Sequence, residues 1–276
     1  MDDDLTVCSF NCRSVKSSVG EIQLLCNDHN FVLLQETWLL PNELNFLSSI
    51  HSDFYSCGQS AVTLSSGILI GRPYGGTGIL YRKNLAPFVQ SIDSHDSRIS
   101  AITFNSAIGP VLIASIYMPT DYQDLDSLLE YEEVCGKLQC IVSDTNAVHC
   151  VLAGDFQCNS GSRFFDQLTH LVSDCNLTIS DTVRLNDTFT YFSDNGNCMS
   201  WIDHFLCSST IDGLIISVSV LNDFVSSDHK PMSVCFKGLA SGNQQYTERP
   251  FVGNDPVKNI FDWDNVSDSN LAYCSV

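Results

Sequence analysis

The chain has 276 residues, 44% of them hydrophobic and 16% charged, and its 13 Lys and Arg against 32 Asp and Glu give a formal net charge of −19. That length suits one large domain or two small ones, with ample apolar material for a core. So acidic a surface repels polyanions at long range, and it can engage a nucleic acid only through a local basic patch or bridging divalent cations. No apolar run reaches the roughly twenty residues needed to cross a bilayer, and the opening Met1-Asp2-Asp3-Asp4 has neither the basic segment nor the apolar run of a secretory signal. The thirteen cysteines form no Cys-x-x-Cys pair, and most fall inside apolar runs, as Cys8, Cys150, Cys207 and Cys235 do. That usage predicts free thiols, no structural zinc and an intracellular protein, nuclear or cytoplasmic, that does not partner a membrane.

Residues 5–10 (Leu-Thr-Val-Cys-Ser-Phe) alternate apolar and polar and stop at Asn11, which predicts a strand running into a loop. Residues 19–30 have helical spacing through Val19, Ile22, Leu25 and Cys26. A short apolar strand, Phe31-Val32-Leu33-Leu34, is then broken by Gln35-Glu36-Thr37-Trp38. Asn11 and Glu36 therefore occupy equivalent strand ends, where loops of layered α/β folds carry chemistry. The glycine-rich segment from Gly71 to Gly78 reads as a tight turn into Ile79-Leu80-Tyr81, since no Gly-Lys-Ser/Thr follows to make it a phosphate loop.

Residues 99–104 and 111–117 are alternating strands joined by a turn at 105–110, and the second ends in Tyr117-Met118-Pro119. A helix is predicted over 125–142. A buried strand over 149–153 stops at Gly154-Asp155-Phe156-Gln157, and a helix over 163–174 follows. A short strand at 188–192, a turn at 194–197 and a strand at 200–206 come next, the last with Asp203 embedded among apolar residues. A strand over 214–221 leads to Ser227-Asp228-His229-Lys230-Pro231 and a final strand at 232–236. Adjacent side chains on extended backbone point to opposite sides, so Asp228 and His229 should meet different partners. From Gly238 the composition turns polar, and 256–273 recovers the pattern of one helix. The organisation predicted is one α+β domain over 1–237, with a linker and tail over 238–276.

Asn11, Glu36, Tyr117, Asp155 and the Asp228-His229 pair share one grammar, an apolar strand followed by a polar residue at its end. Singly, each has a plain structural explanation: a helix cap, a surface acid, a core aromatic, a turn. Asp203 is harder to dismiss, because a carboxylate among apolar residues needs a partner to stay ionised. As an ordered set, Phe10-Asn11, Leu34-Gln35-Glu36-Thr37, Ile116-Tyr117-Met118-Pro119, Gly154-Asp155-Phe156, Trp201-Ile202-Asp203-His204 and Ser227-Asp228-His229 resemble the endonuclease/exonuclease/phosphatase superfamily. Phe189-Thr190-Tyr191-Phe192-Ser193 looks like the apurinic-type endonuclease domain of LINE-type non-LTR retrotransposons. The resemblance spans about residues 5–237.

That resemblance implies a DNase I-like four-layer α/β sandwich, two packed mixed β-sheets flanked by helices, acting as a metal-dependent DNA-nicking endonuclease. It implies Mg²⁺, with Mn²⁺ as an alternative, held by Asn11, Glu36 and Asp228, which are hard oxygen donors. It implies Asp155 acting on the attacking water, His229 on the phosphate with Asp203 at its other nitrogen, and Tyr117 and Thr190 bonding phosphate oxygens. The tail around Ile260-Phe261-Asp262-Trp263-Asp264 resembles the start of a segment leading to a reverse transcriptase. The family's Gly-Asp-Phe-Asn is here Gly-Asp-Phe-Gln, so Gln157 offers its amide one methylene further out. A contact displaced by about 1 Å can cost on the order of a hundredfold in rate, which makes a slow or inactive enzyme an expectation. DNA would be met by a local basic patch drawn from Arg13, Lys16, Arg72, Arg82, Lys83, Arg98, Arg163, Arg184 and Lys230. Two other readings stay open: a phosphatase or phosphodiesterase acting on a small or lipid phosphoester, and an impaired remnant that binds without cleaving.

Overall fold

The structure is a computed structural model that describes residues 4–62, 72–145, 148–193 and 198–239. The turn expected at 194–197 and the helix expected over 256–273 lie outside the described residues. The strands, in chain order, are β1 (Leu5–Asn11), β2 (Phe31–Gln35), β3 (Phe54–Gln59), β4 (Thr77–Arg82), β5 (Val89–Ile92), β6 (Ile99–Ser106), β7 (Gly109–Tyr117) and β8 (His149–Asp155). They continue with β9 (Leu177–Ile179), β10 (Tyr191–Phe192), β11 (Met199–Ser200), β12 (Asp203–Ser208), β13 (Ile215–Val220) and β14 (Met232–Phe236). The helices are α1 (Val19–Asp28), α2 (Phe46–Ser49), α3 (Leu125–Asp144), α4 (Arg163–Asp174), α5 (Ser180–Arg184) and α6 (Ser209–Asp212).

Two six-stranded sheets form, in the orders β13-β14-β1-β2-β4-β3 and β5-β6-β7-β8-β12-β9, with β10 and β11 as a separate hairpin. Each sheet is mixed: β1 runs parallel to β2 and β7 parallel to β8, while the other pairs are antiparallel. The period-2 alternation of the strands sets the layers. Leu5, Val7, Phe31 and Leu33 face Ile102, Phe104, Ile113 and Val151 in one buried cluster between the sheets. On the outer face of the first sheet, Cys8, Phe10, Val32 and Leu34 pack against Ile22, Leu25 and Cys26 of α1. Leu112, Ala114, Leu152 and Leu206 do the same for the second sheet against α3 and α4, through Tyr131, Leu138, Phe164 and Leu168. The result is the four-layer α/β sandwich that the motif order implied.

Local chemistry explains the helix limits. The Asp124 carboxylate accepts from Ser127 N–H at the start of α3, and Ser162 does the same for Phe165 N–H at α4. At the other end of α1, the Arg82 guanidinium donates to the carbonyls of Cys26, Asn27 and His29, satisfying acceptors that the last turn leaves open. Among the described residues, no helix is long and apolar enough to cross a membrane, and the twelve described cysteines are free thiols.

One backbone contact is unusually close. A Cβ added at Gly154 would lie 1.9 Å from the carbonyl oxygen of Ile116 on the neighbouring strand, so β8 can pass β7 there only without a side chain. Gly154→Ala is expected to lower stability by about 3 kcal/mol, measured as a fall in the urea midpoint at unchanged slope.

Candidate active site

Strand register gathers the polar strand ends. Asp155, the last residue of β8, lies opposite Tyr117 at the end of β7 and opposite Asp203 at the start of β12. In the other sheet Asn11 lies beside Gln35, and Glu36 follows immediately with φ of 52°, a turn that leaves the strand direction. The loop between β13 and β14 brings Ser227, whose hydroxyl donates to the Asn11 carbonyl at 2.7 Å.

The carboxamide of Asn11 is the hub. Its Nδ2 donates to Glu36 Oε1 and to Asp155 Oδ2 at 2.9 Å each, and lies 3.5 Å from His229 Nε2. His229 Nδ1 meets Asp203 Oδ2 at 2.9 Å, and its Nε2 stands 3.7 Å from Asp155 Oδ2. Asn11, Asp155, Asp203 and His229 are all buried. Burial pushes the Asp155 carboxyl up to about 7, with the charge of Asp203 adding to it and His229 opposing. Burial pulls His229 the other way, but the carboxylates of Asp203 and Asp155 outweigh it and carry the imidazole up to about 10. Tyr117 is likewise held protonated, by burial first and then by the charges of Glu36 and Asp155.

The remaining expected residues stand differently. The Asp228 carboxylate is 3.4 Å from Arg13 Nη1, and its carbonyl accepts from Phe192 N–H. Among the described residues, the group of three or more His, Cys, Asp or Glu ligand atoms within 4.8 Å of one another is Asp155, Asp203 and His229, without Glu36 or Asp228. Thr190 is fully buried, and its hydroxyl oxygen accepts from the N–H groups of Ile202 and Asp203. Those two bonds end the run expected over 200–206, so Asp203 opens β12 instead of lying inside a strand. Gln157, at φ of 53°, folds back on Asp155, with its N–H on Oδ1 at 3.0 Å and its amide on Oδ2 at 2.8 Å.

The nine basic residues divide. Arg82 caps α1, Arg184 pairs with Asp212, Arg163 with Asp121 and Arg98 with Glu130, so these guanidinium groups are engaged by the protein itself. Arg13, Lys16 and Arg72 line one groove beside the site, Lys16 paired there with Glu43 at 2.6 Å, and the Lys83 ammonium lies 5.2 Å from the centroid of the Tyr55 ring. Lys230 lines an adjoining recess with Arg13 and Phe192, its ammonium bonded to the Phe224 carbonyl.

Two features escaped the sequence reading. Trp38 donates its indole N–H to Glu36 Oε2 at 2.9 Å, although Trp38 had read only as the end of a strand-breaking tetrapeptide. His204 pairs with the buried Asp181 at 2.8 Å, and its other nitrogen meets the Cys158 carbonyl at 3.1 Å. The Asp181 charge holds His204 protonated against the opposing effect of burial.

Two mixed sheets with flanking helices make this a DNase I-like fold, and buried Asn11, Asp155, Asp203 and His229 gather at one end of it with half-buried Glu36. The model of the endonuclease/exonuclease/phosphatase family matches residues 8–229, and the chain belongs to that family. Solved structures agree on the fold. A 3′ phosphatase from Neisseria, a D146N variant bound to a product DNA hairpin, superposes with a TM-score of 0.67 at 19% identity, covering 84% of this chain and 99% of that one. The AP endonuclease of Leishmania major gives 0.68 at 11% identity, over 85% and 88% of the two chains. The endonuclease domain of TRAS1, a telomere-specific non-LTR retrotransposon, gives 0.63 at 17% identity, over 84% and 98%. No curated protein sequence matches the chain significantly.

The sign of the His229 shift has a direct consequence. A histidine whose folded value is raised contributes stability that is full below its unfolded value near 6.5 and is lost as pH rises through about 10. Asp203→Asn removes the partner and should bring the His229 titration in the metal-free protein below about 7, followed by NMR of the ring carbons. A value still near 10 would show that Asp203 is not what holds the proton.

Proposed function

We propose that the chain is a divalent-metal-dependent phosphodiesterase that nicks DNA, leaving a 3′-hydroxyl and a 5′-phosphate. The observation that carries this reading is the convergence on the Asn11 carboxamide of Glu36, Asp155 and the Asp203-anchored His229. The motif order and the likeness to the TRAS1 domain support a retrotransposon origin.

The donor set suits a hard cation. Glu36, Asp228 and the Asn11 carboxamide offer the oxygen atoms that such an ion takes, and Glu36 and Asp155 both reach that carboxamide at 2.9 Å. Asn11, Glu36 and Asp228 would hold Mg²⁺ or Mn²⁺, Asp228 by exchanging its contact with Arg13. When bound, the ion would neutralise charge on the phosphate and on the leaving oxygen.

The chain's own groups carry the rest. His229, cationic and fixed by Asp203, presents Nε2 beside Asn11 and Asp155, where it donates to a non-bridging phosphate oxygen and meets the charge that grows in the transition state. Asp155, poised near neutrality, takes the proton of the attacking water. Tyr117 remains a hydrogen-bond donor, as its raised value requires. Thr190 acts through the main chain of Asp203, which supports the His–Asp pair from behind.

Gln157 sets the rate. The N–H of Gln157 occupies Asp155 Oδ1, and the amides of Gln157 and Asn11 occupy Oδ2, so the carboxylate has few lone pairs left for water. The enzyme is therefore slow.

Supercoiled plasmid with Mg²⁺ tests the proposal. Nicking should stop in EDTA and fall by roughly a hundred- to a thousandfold in Asp155→Ala and in His229→Ala. Nicking that survives both substitutions would end the reading. Gln157→Asn is expected to raise the single-turnover rate, by up to about a hundredfold, and a slower Gln157→Asn enzyme would show that the glutamine is not the brake.

A further inference from the structure

The groove beside the site holds about 590 Å³ and is lined by Arg13, Lys16, Trp38 and Arg72. Trp38 has three partners, one of them Tyr74 from the neighbouring recess. Its indole N–H is on Glu36, its ring meets that of Tyr74 edge-on with centroids 4.9 Å apart, and the Arg72 guanidinium lies 5.7 Å from its centroid. The backbone holds the cluster. Thr37 and Trp38 donate to the carbonyls of Gly76 and Gly75, so the loop after β2 is laced to the loop before β4. That closeness explains the glycine-rich turn, since a Cβ on Gly76 would lie 2.8 Å from the Thr37 hydroxyl. Trp38 itself has φ of 52°, a conformation uncommon for a bulky side chain and maintained here by those contacts.

An acidic protein that grips DNA needs attraction beyond charge, and aromatic faces supply it by stacking on bases. Paired bases keep their faces inside the duplex, so an aromatic wall flanked by cations selects nucleotides that are unpaired. We propose that Trp38, Tyr74 and Arg72 form a stacking site for an unpaired base beside the cleaved phosphodiester, and that Trp38 is also the positioning residue that aims the Glu36 carboxylate. Arg13 and Lys16 take the phosphates flanking that base by exchanging their contacts with Asp228 and Glu43. The substrate class is then a duplex interrupted by unpaired nucleotides next to the cut, and this rests on the DNA-nicking reading. The indole does two separable things, since its ring holds substrate and its N–H holds Glu36.

Binding can be read apart from cleavage. The full chain in EDTA is titrated with a duplex carrying a short single-stranded gap and with a continuous duplex of equal length, following tryptophan fluorescence. The gapped duplex should bind roughly five- to a hundredfold more tightly and quench emission. Trp38→Phe should abolish the quench while Trp201 and Trp263 still emit. Tyr74→Ala, at a side chain 61% exposed and so safe for folding, should weaken binding of the gapped duplex toward that of the continuous one. With Mg²⁺ restored, Trp38→Phe should show its loss mainly in kcat and in a higher metal requirement, and Tyr74→Ala mainly in KM. Equal affinity for the two duplexes, or a quench that persists in Trp38→Phe, overturns the stacking site even if plasmid nicking is intact. A quench with preference for the gapped duplex supports the site even if the plasmid assay fails.

Discussion

The Asn11 carboxamide leads a small set of buried polar contacts that join the two sheets at the end where the polar strand ends gather. Asn11 belongs to the first sheet and donates to Asp155 of the second, and it has company: Gln35 donates to Ser115 at 2.9 Å, Ser115 to the Leu34 carbonyl at 2.8 Å, and Thr77 meets Ser100 at 2.8 Å. Elsewhere the sheets meet through side chains such as Phe31, Phe104 and Ile113, which tolerate small shifts. Buried polar atoms do not, because each lost partner leaves a donor or acceptor unsatisfied. The apolar interior holds the sheets together, and this polar seam fixes how they are aligned, hence where Glu36 stands relative to Asp155.

Electrostatics at the seam follow from the same burial. Asp155, Asp203 and His229 carry two carboxyl groups against one imidazole, and Glu36 adds a third carboxyl at the mouth. The deficit of positive charge there is local, unlike the −19 of the whole chain. Several arginines that would offset that total are bonded to helix ends and neighbouring acids. Arg13, Lys16 and Arg72 line one groove, where Arg13 and Lys16 in turn face Asp228 and Glu43.

Much of this was legible in the sequence, for a physical reason. Strands that are buried on both faces read as apolar runs, and a polar residue ending such a run is conspicuous, as with Asn11, Asp155 and Glu36. α4 was readable to its limits, Arg163–Asp174, because its apolar stripe and its Ser162 cap agree. Less legible were β3, β5 and β9, edge or short strands whose partly exposed residues lack that contrast. Asp203 opens β12 rather than lying within it because a side-chain cap from Thr190, thirteen residues away, holds its N–H, and no local pattern signals that. Trp38 gives no such signal, since its contact with Glu36 depends on left-handed backbone at both Glu36 and Trp38. Neither long-range capping nor unusual backbone leaves a periodic trace.

The β10–β11 hairpin has one property that reaches past its size. Phe192 N–H donates to the Asp228 carbonyl, Lys230 N–H donates to the Thr190 carbonyl at 2.6 Å, and Tyr191 bridges His229, while the Thr190 hydroxyl holds Asp203 from the other sheet. Three consecutive residues thereby touch the main chain on both sides of the His–Asp pair, and the third of them, Phe192, is 41% exposed. A substitution anywhere in this short segment would therefore reach the imidazole through the main chain as well as alter the exposed edge at Phe192.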